Sequence, residues 1–306
     1  MKNQYQKVVY LDEKGRTFEF KAPKGMRLEV VEESHDKLFI QVIDMTKLNY
    51  ANPPIPEGWE YVSGEWNKGL VIERESDSSQ FVWIPVASLP QNGMLHGGMY
   101  DSSFGRRNYS MNEHFTDEFQ EEFEGKLALQ TESIQKYGGF YISRYEVSMQ
   151  GNHICSVKGE MPLSCVNFYE AMSLANGFEN KKDVKSHLTF GAEYDSVLLW
   201  LIHSGAKTPI EVVKNSSGWG NFLNSDGSTK KAKETGSSEK YCTNAIYDLA
   251  GNLDEWTQEK YQEHLRVTRS GHFELDGHYY PVCYRNYRNP ARGYKYTGFR
   301  VVLYIK

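Results

Sequence analysis

The chain is poor in the features that announce chemistry. It has four cysteines, Cys155, Cys165, Cys242 and Cys283, and no two of them stand in a CxxC or other metal-ligand spacing. That excludes a zinc or iron–sulfur site built from a local motif, and leaves reduced, mostly structural thiols as the expectation. Nor is there an excess of basic residues: Lys and Arg number 35 against 40 Asp and Glu, a formal net charge of -5. No electrostatic case exists for nucleic acid or an anionic membrane as a partner. No window resembles a transmembrane span, and the N-terminus MKNQYQKVVYLDEKG lacks the apolar core of a signal peptide. The expectation is a soluble protein made in the cytoplasm, reaching a virion or cell surface, if at all, by another route. No internal repeat is visible.

Aromatic residues are plentiful, at 14% of 306 residues with 21 Tyr, and hydrophobic residues make up 39%. A sizeable core is available, in one large domain or one large and one small. Tyr serves interfaces as readily as cores.

Residues 1–46 read as a small β module of two hairpins. VVYLDEKGRTFEF alternates around Glu13-Lys14-Gly15, and RLEVVEESHDKLFIQVI around Ser34-His35-Asp36. It is either a decorated extension or a device that docks the chain onto an assembly or a second copy. Residues 47–56, overlapping the proline-rich stretch NYANPPIPEG at 49–58, form a stiff linker. Residues 57–306 form the main domain. WEYVSG, GLVIER and QFVWIPV are three strands, and 93–112 is a polar surface loop. Phe115, Phe119, Phe123 and Leu127 recur at fourfold spacing, which predicts a helix with an aromatic side. LALQTESIQKYGG is a second helix with Gly138 as the left-handed residue after its end, and FYISRYEVS a strand. SCVNFYEAMSLANGF is a helix ending at Gly177. LTFGAEYDSVLLWLIHSG is another, ending near Gly205 with His203 as a structural residue in its last turn. Residues 207–240 read as a long polar loop, functional or poorly ordered. Strands, then helices, then strands predict an α+β domain.

The last part of the chain, from Asn244, has the composition of a surface that contacts something. Between strand-like ends lies a run rich in Tyr, His, Asn, Arg and Gly. Tyr supplies amphipathic area at low entropy cost, and Asn, Gly and His adapt their hydrogen bonding. The candidate ligand-binding residues are His272, Glu274, Asp276, His278, Tyr279, Tyr280, Tyr284, Asn286, Tyr287, Asn289, Tyr294 and Tyr296. Arg285, Arg288 and Arg292 are available to stack or to pair with carboxylates, while Arg269, Phe273, Phe299 and Arg300 belong to the scaffold. The expected partner is a protein or glycan receptor.

GGFYISRYEVS, MPLSCVNFYEAMSLANGF, LTFGAEYD, AIYDLAGNLDEWT, RVTRSGHF and GFRVVL, in that order, resemble the formylglycine-generating enzyme (sulfatase-modifying factor) family. The resemblance runs from about Gly138 to the end, and its most specific piece is YDLAGNLDEW followed by GFR. It implies a C-type-lectin-like fold. The same motifs, with PEGWEYVSG, GLVIER, QFVWIPV and GFRVVLYIK, resemble a binding branch of that fold, the variable ligand-binding proteins of diversity-generating retroelements and related phage tail proteins. There the segment before the final GFR carries the binding residues.

The resemblance also implies an alternative, a copper oxidase acting on a protein cysteine, or else a structural tail subunit. The oxidase reading departs from the family pattern at several positions. The enzyme holds copper with two cysteines in the C-terminal segment, and here only Cys283 lies there. His272 stands at the serine of RGGSW and Asp254 at the first tryptophan of WEW. One thiolate does not make a two-sulfur Cu(I) site. The expectation is therefore a binder without catalysis and without a cofactor. Structural calcium is the open exception, with Asn252, Asp254 and Glu255 as its hard-oxygen candidates. The plainer reading, in which Asn252 caps a turn and Asp254 faces water, is preferred.

Overall fold

The computed structural model describes residues 5–11, 17–23, 26–34, 37–44, 49–89, 119–223, 225 and 230–306. The chain divides into two compact units, Met1–Asn52 and Pro53–Lys306. In the first, β1 (Tyr5–Leu11) pairs antiparallel with β2 (Thr17–Pro23), and β3 (Met26–Ser34) with β4 (Lys37–Asp44). Both strand pairs fall within the stretch that the alternation marks as strands, and the turn residues Glu13-Lys14-Gly15 and His35-Asp36 lie outside the described residues.

The second unit opens with the three predicted strands, β5 (Trp59–Ser63), β6 (Val71–Arg74) and β7 (Gln80–Ile84). Next come β8 (Phe119–Glu121), α1 (Glu124–Tyr137) and β9 (Phe140–Ser143). A short hairpin, β10 (Ser148–Gln150) and β11 (His153–Cys155), leads to α2 (Phe168–Phe178) and β12 (Val184–Leu188). Two helices follow, α3 (Gly191–His203) and α4 (Pro209–Val213). The C-terminal part holds β13 (Cys242–Thr243), β14 (Ile246–Tyr247), β15 (Asp254–Tyr261), β16 (Leu265–Arg269), β17 (Asn286–Arg288), β18 (Thr297–Phe299) and β19 (Val301–Ile305).

Two sheets organise these strands. A six-stranded antiparallel sheet has the order β12-β19-β9-β7-β6-β5, and a second sheet the order β17-β16-β15-β18, with β8 also paired to β15. The last strand of the chain thus lies inside the first sheet, between β12 and β9. Apolar residues of α3, among them Tyr194, Val197, Leu198, Trp200 and Leu201, pack with Val71, Val82, Ile84, Phe140, Ile142 and Val302 into one core, joined by Leu249 and Val282.

The helices begin and end where local chemistry allows. Asn167 caps α2: its Oδ1 accepts from Glu170 N at 3.0 Å while Glu170 Oε2 accepts from Asn167 N at 2.9 Å. At the end of α1, Gly138 takes φ 83 and donates its N–H to Ile134 O. α2 continues one residue past Gly177.

Four readings need correction. The aromatic helix is absent: Phe119 lies in β8, held by pairing with β15, and helix starts only at Glu124, so tertiary pairing overrode the fourfold spacing. Phe115 and the 93–112 loop lie outside the described residues. FYISRYEVS is strand only at its two ends, and Leu188 ends β12 instead of opening α3. Finally, 207–240 is no bare loop. It contains α4, and its Trp219 and Phe222 are buried in the core cluster.

Candidate ligand-binding face

Alternation along the second sheet sorts its polar residues onto two faces. On the inner face, Arg285 donates to Asp195 Oδ2 at 2.6 Å and to Glu259 Oε1 at 2.8 Å, and Arg269 to Asp195 Oδ1 at 2.8 Å. Arg300 donates to Glu255 Oε1 at 2.7 Å and to backbone carbonyls of Ser143, Arg144 and Tyr247. All these side chains are buried. Burial pushes the Glu255 carboxyl up to about 7 against the pull of Arg300. Arg285, expected to be available to a ligand, is instead tied into this frame. Removing one partner would leave a buried charge uncompensated, at a cost of about 3–5 kcal/mol.

On the other face stand Asp254, Thr268, Asn286 and Arg288. Arg288 pairs with Asp254 Oδ2, which also accepts from Thr268 Oγ1 at 3.2 Å. The guanidinium of Arg288 lies 4.4 Å from the Tyr296 ring centroid and 5.1 Å from that of Tyr294. His272 stacks on Tyr296, 4.3 Å away with planes 8° apart. Its Nδ1 accepts from Glu274 N, which leaves the proton of the neutral ring on Nε2. Burial holds its pKa below the ordinary histidine value.

The candidate residues therefore divide. Tyr279 and Tyr287 are 66% and 51% exposed. His278 and Asn289 are exposed as well, and Glu274, Asp276, Tyr280, Tyr284, Asn286, Tyr294 and Tyr296 are half-buried. His272 is buried, a correction to its assignment as a display residue: its ring backs Tyr296 instead of meeting solvent. Arg292 is exposed. Tyr287 projects from β17 opposite to Arg288 and stacks at 4.5 Å on Tyr261, which lies outside the predicted segment. Its membership was invisible in sequence because it depends on strand pairing alone.

The segment 216–223, read from sequence as part of a loose loop, cradles the display loop. Ser216 N donates to Gly277 O, Val282 N to Ser216 Oγ, and Leu223 N to Leu275 O. A Cβ on Gly277 would stand 2.7 Å from Ser217 N and 2.8 Å from the Phe222 ring, so only glycine fits. At the other end of the segment a Cβ on Gly293 would stand 2.0 Å from Cys165 O.

The metals implied by the family resemblance do not fit these residues. Cys283 is buried and is the one cysteine of the C-terminal segment, so a two-sulfur Cu(I) site is not formed there. The calcium candidates are engaged elsewhere. Asn252 Oδ1 accepts from Asn221 Nδ2 and Lys233 N, and Asp254 and Glu255 pair with different arginines across opposite faces of β15. Asp254, expected to face water, is buried, because Arg288 compensates its charge inside. Asn252 does sit at a turn, with φ 59, and its amide reaches Glu146. Among the described residues no group of three or more His, Cys, Asp or Glu is placed to hold a metal ion.

Residues 104–305 match the family described as the sulfatase-modifying factor enzyme 1-like domain. Among solved structures the chain is similar to Treponema denticola variable protein 1, at 17% identity and a TM-score of 0.40, covering 54% of this chain and 84% of that one. It is similar to the structure of CarF at 15% identity and a TM-score of 0.41, covering 55% and 87%. It is also similar to PvdO from Pseudomonas aeruginosa at 16% identity and a TM-score of 0.40, covering 55% and 81%. A search of curated proteins found no match.

Proposed function

Because the chain belongs to the family of sulfatase-modifying factor enzyme 1-like domains and has their C-type-lectin-like fold, we propose that it uses this scaffold for binding and not for catalysis. The ligand-binding face is built from the C-terminal segment. One observation carries the reading: Tyr279 and Tyr287 stand exposed on a segment that is anchored between them by Arg285, itself clamped in the buried Arg269–Asp195–Arg285–Glu259 frame. Rigid support beneath exposed rings lets side chains meet a partner at low entropic cost. It also lets them be exchanged without unfolding the domain, as a diversified segment would require. The partner is a protein or glycan receptor, and the N-terminal hairpins supply assembly or self-association. That Cys283 is buried and stands without a second cysteine in the C-terminal segment supports the absence of copper chemistry.

The test pairs two assays. The chain is screened against arrayed glycans and surface proteins, and any hit is re-measured with Tyr279→Ala/Tyr287→Ala. Loss of binding with an unchanged Tm is expected. Separately, Cu(I) is titrated into the protein and a cysteine-containing peptide is assayed for aldehyde. Stoichiometric copper binding that disappears in Cys283→Ser, with peptide oxidation, would overturn the reading.

A further inference from the structure

The carboxylate of Asp254 is used lopsidedly. Arg288 Nε and Nη2, Thr268 Oγ1 and Asn286 Nδ2 all donate to Oδ2. Oδ1, buried, has no hydrogen-bond partner among the described residues. An unmet buried carboxylate oxygen is costly, and a well-formed arginine–carboxylate pair ordinarily engages both oxygens. A second buried oxygen without a hydrogen-bond partner among the described residues belongs to the residue paired with Asp254 on the next strand. Asp254 and Thr297 stand opposite each other in the parallel β15–β18 pair, so their side chains share a face, and Thr297 Oγ1 also has no partner among the described residues. The rings of Tyr294 and Tyr296 are in cation–π contact with Arg288, the partner of Asp254. Arg288 itself projects from β17, a three-residue strand at the edge of its sheet, and its side chain is 11% exposed.

A carboxylate oxygen seeking a donor, a hydroxyl able to accept, and tyrosine faces that favour positive charge specify one chemistry. From these we infer that this corner of the face is a recognition site for an organic cation bearing N–H donors. The ligand is a lysine- or arginine-like side chain presented by a protein target, and Arg288 is a built-in occupant that shifts on its edge strand to admit it. A primary ammonium offers three donors, enough for Asp254 Oδ1 and Thr297 Oγ1 together. This deepens the binding reading and rests on it.

The test titrates the full-length protein by NMR or calorimetry with butylammonium, butylguanidinium and tetramethylammonium. The last is a cation without N–H donors. The first two are expected to bind with Kd on the order of 1 mM and tetramethylammonium more weakly. Thr297→Val, which keeps the shape and removes the hydroxyl, should weaken butylammonium about three- to tenfold at unchanged Tm. Asp254→Asn should weaken both donors further if it folds. Glucosamine, a cation from a glycan source, is run in parallel, and tighter binding of it than of butylammonium would overturn the assignment to a protein side chain. Equal affinity for all the cations, no binding of any, or full affinity in Thr297→Val would overturn the site. Tyr279→Ala/Tyr287→Ala is the separating control: it should leave cation affinity intact, so failure of this site and failure of the wider display face give different results.

Discussion

The two faces of the second sheet use the same ingredients, arginines and carboxylates, for different ends. On the inner face every Asp195 oxygen meets a guanidinium, and Arg269 and Arg285 bridge between Asp195 and Glu259. On the outer face Asp254 engages its cation and hydrogen-bond donors through one oxygen only, and Arg288 reaches the surface. The frame is wholly buried, so it fixes position and contacts nothing outside. The outer pair keeps one member, Arg288, in touch with the surface. The difference lies in burial, not in residue type.

Breaking the inner face should have the largest effect. Arg285→Met leaves Asp195 and Glu259 short of a buried cation and is expected to cost about 3–5 kcal/mol, read by urea denaturation, with loss of any target binding. The outer pair, where Arg288 retains some solvent contact, should be more forgiving: Arg288→Met is expected to cost clearly less in the same measurement. Equal losses would erase the distinction between frame and site. A smaller effect is expected for Asn167→Ala, which removes the α2 cap near the face, at about 1 kcal/mol. At the exposed rim, Tyr279→Ala/Tyr287→Ala should change stability by no more than about 0.5 kcal/mol. Thiol labelling sharpens the contrast between depth and rim without changing stability. At pH 8 exposed Cys165 should react readily. Cys283, with its thiol pushed up to about 11, should hold about one part in a thousand as thiolate and label only on unfolding.

Much of the fold was legible because its signals are local. Alternation announces the strands of residues 5–44, Gly138 a helix end through its positive φ, and YDLAGNLDEW with GFR the family through residues kept in order. The fourfold phenylalanines misled because spacing alone does not reveal a partner strand: β8 exists only through β15. The loop reading of 207–240 failed for a related reason. Trp219 and Phe222 sit in a polar, glycine-rich context, and only tertiary packing, with the Phe222 ring close against Gly271 and Gly277, makes them core.

By itself, the sequence determined the α+β class, the paired strands near the N-terminus, the helix end at Gly138 and the place of the polar, tyrosine-rich segment, because each rests on residues close together in the chain. Which members of that segment face outward was left to the tertiary structure. Between 270 and 296 only β17 is regular, so no periodicity assigns a face. Burial there is set by partners far away in sequence: Asp195 and Glu259 draw Arg285 inward, Asp254 draws Arg288 half inward, and Tyr296 covers His272. The energy of compensating a buried charge, not the character of the residue, made those choices.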